Sequence, residues 1–324
     1  MNRWLLRRAA SAAGTFLLAA TLLFFLMRLT PGDPLLRLTE DRPMSPEALA
    51  NLRAHYGLDQ PVTTQFLAFV GGILQGDLGA SIEHGGRPVV SLLRERLPAS
   101  LLLGATTLLL NFLLGITIGT WQARHIGTRA ERAVDLAGLA TASAPSFWVA
   151  IILAWALGTE LRWFPVAFMH DPLLAADAGA ITRALDQVRH LVLPAVTLTI
   201  VSVGVTARYQ RATMLEALQM DAVRAARARG LPESQVRWRH AWPNALGPML
   251  ALFGLWLPIV VSGSVFVESV YAWPGLGTLA AEALASRDYP VLMGTALLIA
   301  ATVVAANFFA DLAHRWVDPR LRDG

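Results

Sequence analysis

Apolar residues in this chain come in long unbroken runs, without the alternation of a strand or the stripe of a surface helix. Six stretches carry no charge at all: Ala9–Met27, Leu97–Ala123, Leu136–Thr159, Leu191–Ala207, Ala241–Val267 and Tyr289–Ala310. A helix rises about 1.5 Å per residue, so about 20 apolar residues cross the roughly 30 Å of bilayer hydrocarbon. The pattern predicts an all-α membrane protein with six transmembrane helices. The fourth run is the shortest. The fifth contains Pro248 and Pro258 and is expected to kink, which membrane helices tolerate when neighbours satisfy the freed carbonyls.

Between the runs lie polar segments of unequal length. Leu29–Arg96 carries turn markers and, at Ser45-Pro46-Glu47, the start of a short helix with Ser45 as N-cap and Pro46 at its first position. Val62–Leu74 is apolar but too short to span, and should lie on the membrane surface or pack on the bundle. Residues 1–96 thus read as a first transmembrane helix with an outer region. Residues 97–324 read as a core of five further helices with a polar loop at 208–244. No internal repeat or low-complexity tract is evident.

Composition agrees. Of 324 residues, 55% are hydrophobic and 15% charged, against about 25% charged in soluble domains, and the mean hydropathy is +0.48. Cysteine is absent, which excludes disulfides, thiolate metal sites and cysteine nucleophiles. All 27 basic residues are arginine, so a phosphate-binding lysine loop and a Schiff-base lysine are excluded as well. The pI of 10.2 reflects where the arginines sit relative to a membrane and is not a nucleic-acid footprint. With the N-terminus inside, the inner segments hold sixteen arginines and the outer segments hold fourteen of the acids. Positive residues favour the cytoplasmic side, so the expected topology is N-in and C-in. Arg3, Arg7 and Arg8 precede a full-length apolar run with no small-residue cleavage site, unlike a cleavable signal.

The segment Gln210–Gly247 stands apart as polar and arginine-rich between two spans. Asp221–Arg229 has good helix formers, with an acid at its start and arginines towards its end, as the helix dipole favours. Gly230 suits the left-handed residue that ends a helix, and Pro232 with Glu233 suits the first turn of a second one. Ala222, Ala225 and Ala226 form a small-residue face that another helix or a groove wall can approach closely. Anchoring topology needs fewer arginines than this. The ordered helix–Gly–Pro–helix pattern points to docking on a soluble partner.

These residues resemble the EAA loop of ABC-importer permeases, E-A-A-x3-G-x9-I-x-L-P. Ala225, Ala226, Gly230 and Pro243 match it, while Arg224, His240 and Trp242 replace the Glu, Ile and Leu. Asp221-Ala-Val-Arg224-Ala-Ala-Arg227-Ala-Arg-Gly230-Leu231 is similar to the variant D-x-V-R-x-A-R-A-x-G-L of the dipeptide/oligopeptide/nickel branch. Further likenesses to that branch run along the chain. They include Arg28-Leu-Thr-Pro-Gly-Asp-Pro34, Tyr56-Gly-Leu-Asp-Gln-Pro61, Gly76-Asp-Leu-Gly79, Pro145-Ser-Phe-Trp148, Glu268-Ser-Val-Tyr-Ala-Trp-Pro-Gly-Leu-Gly277, Arg287-Asp-Tyr-Pro290 and Asp318-Pro-Arg320.

The resemblance implies a transport subunit of the bacterial inner membrane rather than an enzyme. It forms half of a translocation path with a second permease subunit. Two cytoplasmic ATPase subunits hold ATP and Mg²⁺, and an extracytoplasmic binding protein delivers the solute. Asp221, Arg224, Ala225, Ala226, Arg227, Gly230 and Pro243 then belong to the ATPase-coupling loop. Glu268, Trp273, Pro274, Gly275 and Gly277 fall at the outer mouth or gate, where Glu268 either caps a turn or gates. Di- or oligopeptides are the leading solutes, with nickel or glutathione as alternatives. No cofactor or metal is expected in this chain itself.

Other polar residues in or near the runs are candidates by position. Asn111, Asn307, Glu268 and Asp311 are intramembrane groups, and Asp311 lies four residues from Arg315, as an interfacial ion pair would. Gly115, Gly119, Gly138, Gly254 and Gly263 suit close helix packing. Ser143, Ser146, Ser262 and Ser264 either line the path or bond back to their own helices. A membrane enzyme would show HExxH, GxGD or GxSxG, and none is present; the seven histidines have no ligand spacing. An ion-coupled secondary transporter would show repeats and charges deep in its spans, which are missing here.

Overall fold

The computed structural model describes residues 2–29, 45–175, 177–262 and 264–317. Regular structure among them is helical, and the extended pairing is an isolated bridge between Ala80 and Pro88. In chain order the helices are α1 (Asn2–Leu29), α2 (Pro46–His55), α3 (Val62–Gln75), α4 (Val89–Arg124), α5 (Arg129–Ser143), α6 (Ser146–Leu153), α7 (Ala180–Ala217), α8 (Asp221–Ala228), α9 (Trp242–Ser262), α10 (Val265–Val270), α11 (Leu276–Ser286) and α12 (Tyr289–Val317). A π-helical segment, Ala154–Glu160, extends α6. A second, Val236–Ala241, leads into α9 after a single turn at Glu233–Gln235.

Among the described residues, four helices are long and apolar enough to cross a membrane: Trp4–Leu29, Val89–Arg124, Ala180–Ala217 and Tyr289–Phe309. A fifth crossing results if α5 and α6 with its extension count as one broken span. The predicted third span, Leu136–Thr159, is therefore not one straight helix, because the chain bends by 104° between α5 and α6. Pro145 accounts for the break. Its ring disfavours helical backbone at the preceding residue, and Ala144 is extended at φ −77, ψ 137. The predicted fifth span, Ala241–Val267, is divided between the 21-residue α9 and the separate α10, with Ser264 extended before the latter.

The run predicted as shortest, Leu191–Ala207, is the middle of the 38-residue α7. Several charged residues on its flanks find partners. Arg208 pairs with Asp135 at 2.8 Å, Arg211 with Glu131 at 2.8 Å, and Asp186 with His190 at 3.3 Å one turn along the same helix. Pro98 and Pro194 both lie inside long helices, α4 and α7.

The chain divides into two units, Met1–Ser100 with Pro274–Phe308, and Leu101–Trp273 with Phe309–Gly324. In the first, α3 packs on α1 through aromatic rings. Phe24 lies 5.3 Å from both Phe66 and Phe69, centroid to centroid. That is the bundle packing open to a 14-residue apolar helix too short to span. Ser45 caps α2 through its side chain, with Pro46 in the first turn. The loop after α3 is tied to the start of α12. The buried Asp288 accepts hydrogen bonds from the Ser81 hydroxyl, the Glu83 amide at 3.2 Å and the Val291 amide at 3.4 Å.

In the second unit α7 is the hub, packed against α5, α6, α9 and α10. Small residues make this closeness possible, as expected for Gly115, Gly119 and Gly138. A Cβ on Gly119 would lie 2.3 Å from the Ala207 carbonyl oxygen, and one on Gly204 would lie 2.4 Å from that of Gly138. Gly263 and the end signature Asp318-Pro-Arg320 lie outside the described residues, as do most of Arg28–Pro34 and the side chains of Ser262, Asp311 and Arg315.

Candidate functional site

The arginine-rich segment folds as its sequence pattern predicts. α7 ends at Ala217, and Met220 is extended and begins α8, with its carbonyl accepting from the amides of Val223 and Arg224. α8 is two turns long. Val223 and Ala226, three residues apart, have no exposed surface, while Ala222, Ala225 and Ala228 are exposed. The small-residue face is thus divided. Ala226 points into the protein, and Ala222 and Ala225 remain on the surface beside Asp221, Arg224 and Arg229. Asp221 and Arg224 pair across one turn in the open, an arrangement of little energetic weight.

Gly230 terminates α8 at φ +76. Its amide donates to the Arg227 carbonyl at 2.9 Å, and the Leu231 amide donates to that of Ala226 at 3.4 Å. This is the Schellman arrangement, in which the left-handed residue turns two orphan carbonyls back onto the chain. A Cβ at Gly230 would meet nothing within 4 Å, so the requirement for glycine comes from the backbone angle and not from crowding. Leu231 then packs into the cluster beneath, as the residue after such a turn commonly does. Pro232 precedes the next helical turn, where its carbonyl accepts from Gln235 and Val236.

Arg227 closes the bend from outside. Its Nε donates to Glu233 Oε1 at 2.7 Å, and its Nη1 reaches the Leu218 carbonyl at 3.4 Å. One side chain thus joins the end of α7, the end of α8 and the start of the following turn. The Arg227 hydrogen bond holds the Glu233 carboxyl below its usual range, with the positive charges of Arg227 and Arg237 acting the same way.

The buried side of α8 belongs to one apolar cluster. Val223 and Ala226 meet Met214 and Ala217 of α7, Val236 and Ala241 of the π segment, and Ala245 of α9. α8 is therefore joined to the ends of two long helices through packed side chains. Glu131 adds a polar tie. It is 4% exposed, pairs with Arg211 on α7, and accepts from the Gly127 amide at the start of α5. Pro243, which completes the sequence motif, is exposed where the π segment passes into α9. Its missing N–H is accommodated there, and Asn244 Nδ2 donates to the His240 carbonyl at 2.6 Å. Sequence reasoning missed Val223, Val236 and Glu131. Val223 was readable as the one large apolar residue of α8.

Of the outer-mouth candidates, Glu268, Trp273, Gly275 and Gly277 are buried and Pro274 is half-buried. Glu268, Tyr271 and Trp273 have at most 2% exposure. The backbone closes α10 in a second Schellman turn. The Trp273 amide donates to the Glu268 carbonyl at 2.8 Å, and Ala272 takes φ +46. Tyr271 was not singled out in the sequence, yet its hydroxyl donates to the Ala150 carbonyl at 3.0 Å and meets Thr197 Oγ1 at 2.9 Å. Pro274 and Gly275 begin the first unit's second portion, where Gly275 precedes α11 and Gly277 lies buried in its first turn. Of the intramembrane candidates, Asn111 is buried and exchanges hydrogen bonds with Thr206, and Ser143 bonds back to Leu139 of its own helix.

The family described as binding-protein-dependent transport system inner membrane component matches residues 115–323, and its N-terminal counterpart matches residues 1–103. The chain is 34% identical over 321 residues to the oligopeptide transport system permease protein AppB of Bacillus subtilis, covering 99% of each chain. It is 35% identical over 340 residues to the di/tripeptide transport system permease protein DppB of Pseudomonas aeruginosa, again covering 99% of each. These matches run along nearly the whole chain. The chain belongs to the binding-protein-dependent transport system inner membrane components, the multi-pass inner-membrane permease subunits of ABC transporters, and is not itself an enzyme.

Proposed function

We propose that this chain forms half of the translocation path of an ATP-driven importer for di- or oligopeptides, with α8 as the element that receives motion from a cytoplasmic ATPase. The division of α8 carries this reading. Its buried side is locked into the ends of α7 and α9, and its other side offers alanines flanked by opposite charges to a partner. The peptide assignment is supported by what the relatives are named for. The arginine bias supports an N-in, C-in topology, which puts α8 in the cytoplasm.

In this reading a second permease completes the path, two ATPase subunits hold ATP and Mg²⁺, and an extracytoplasmic binding protein delivers peptide to the acidic outer loops. α8 moves as a rigid body because Gly230, Arg227 and Leu231 fix both its end and its seat. Asp221, Arg224 and Ala225 meet the ATPase. Glu268 and Trp273 act at the outer mouth as buried supports of the turn that joins α10 to α11.

The natural chain has no cysteine, so single cysteines report cleanly. In the assembled transporter, Ala225→Cys should react with a maleimide when the ATPases are stripped away and be protected when they return. Ala226→Cys should be unreactive in both. Equal labelling of Ala225→Cys with and without ATPases sinks the docking role. Failure of the reconstituted importer to accumulate any di- or oligopeptide sinks the substrate assignment.

A further inference from the structure

The second unit contains a cavity of about 450 Å³ between α4, α7 and α9, bordered by the start of α6 and by Ser264. This volume lies in the range of small-ligand pockets, roughly 300–1,000 Å³. Its walls are mainly aliphatic and aromatic, with Leu198, Val201, Trp256 and Val260 among them. Thr107 and Asn111 bring polar groups into that lining.

Thr107 is the informative residue. It is 8% exposed, and its hydroxyl has no hydrogen-bond partner. Threonines in these helices usually satisfy themselves on the carbonyl one turn back. Thr117, Thr197 and Thr199 all do so, at 2.7 to 2.8 Å. Ser202, on the same cavity wall, bonds to the Leu198 carbonyl at 2.8 Å. A buried hydroxyl left over beside an empty apolar space is costly unless something enters to pair with it.

We propose that this cavity is a side-chain subsite of the translocation path. It takes an apolar side chain of the passing peptide, while the Thr107 hydroxyl pairs with a polar group of the peptide backbone. The proposal rests on the peptide-import reading. A lipid acyl chain fits the walls less well, because it leaves Thr107 unpaired.

The test uses the complete importer, with its partner permease, ATPases and binding protein, reconstituted in liposomes. Uptake of alanyl-glycine, alanyl-leucine and alanyl-tryptophan is compared for the natural protein, Val201→Trp, Val201→Ala and Thr107→Val. Filling the cavity with Val201→Trp should lower alanyl-leucine uptake relative to alanyl-glycine about tenfold, the scale of discrimination by small volume changes in an apolar pocket. Enlarging it with Val201→Ala should shift preference towards alanyl-tryptophan, an opposite change that misfolding cannot produce. Thr107→Val, nearly isosteric, should lower uptake of all three several-fold at equal levels of assembled importer. Unaltered peptide preference in both Val201 variants overturns the proposal. So does a phospholipid that co-purifies with the natural protein and is lost from Val201→Trp in native mass spectrometry. No uptake of any di- or oligopeptide by the natural importer overturns the peptide reading itself, and this proposal with it.

Discussion

Arg227 donates its Nε to Glu233 across the Gly230 bend at 2.7 Å, so the two sides of the turn are held by a charged pair as well as by the backbone. The Glu233 carboxyl is held below its ordinary value by this bond, and a depressed folded-state value fixes the sign of the effect. The stabilisation is fully present above the unfolded carboxylate range. It is lost as pH falls through the lower, folded value. Amide exchange across Asp221–Leu231, expressed relative to the intrinsic rate at each pH, should therefore stay slow at neutral pH and accelerate only in acid. In Glu233→Gln it should already be faster at neutral pH, with a weaker acid response. Identical pH profiles for the two proteins would show that the pair does not hold the bend.

Gly230→Val should impair coupling without preventing membrane insertion. A left-handed backbone costs an L-residue about 1–2 kcal/mol, more for a β-branched one, and the surrounding space is open. Gly230→Asn should be milder, since asparagine visits this conformation more readily. Peptide-stimulated ATP hydrolysis by the assembled transporter measures the difference. Normal activity in Gly230→Val refutes the bend's importance.

Arg211→Met should be among the most destabilising single changes in the second unit. It leaves Glu131, only 4% exposed, with its charge uncompensated, a loss of about 3–5 kcal/mol for buried pairs. The double variant Glu131→Gln/Arg211→Met should recover much of it. Thermal unfolding of detergent-solubilised protein provides the cycle, and simple additivity of the two changes would refute the coupling.

Asp288→Ala should loosen the loop between α3 and α4. The carboxylate collects the Ser81 hydroxyl and two backbone amides, and hydrogen bonds to a charged group contribute about 1.5–3 kcal/mol each. Limited proteolysis should cut within Gly79–Pro88 faster in this variant, while α8 keeps its protection. An unchanged cleavage rate argues against the tie.

Gly204→Leu should disrupt the contact of α5 with α7, because even a Cβ there would sit 2.4 Å from the Gly138 carbonyl oxygen. Overpacking of this kind costs about 1–3 kcal/mol or more. Reduced yield of folded permease with normal synthesis is the expected readout. A fully stable variant would mean the two helices separate at little cost.

The class of fold was legible in the residue order alone, because uncharged runs of membrane length leave the backbone few options besides the helix. So was the bend after α8, where Gly230 and Pro232 act through local backbone preference alone. Helix limits and burial were another matter. Arg208 and Arg211 read as the flank of a short span, yet α7 runs through both because Asp135 and Glu131 pair with them from α5. Ala225 and Ala226 are the same residue type side by side. Only packing against Met214, Val236 and Ala245 decided that one is core and the other surface. The pairing of Ser81 with Asp288, 207 positions apart, left no local trace, since the carboxylate finds its partners only after the chain has folded. Local conformation is a property of a few adjacent residues, but which side of a helix is buried, and which charge is met, depends on segments distant in the chain.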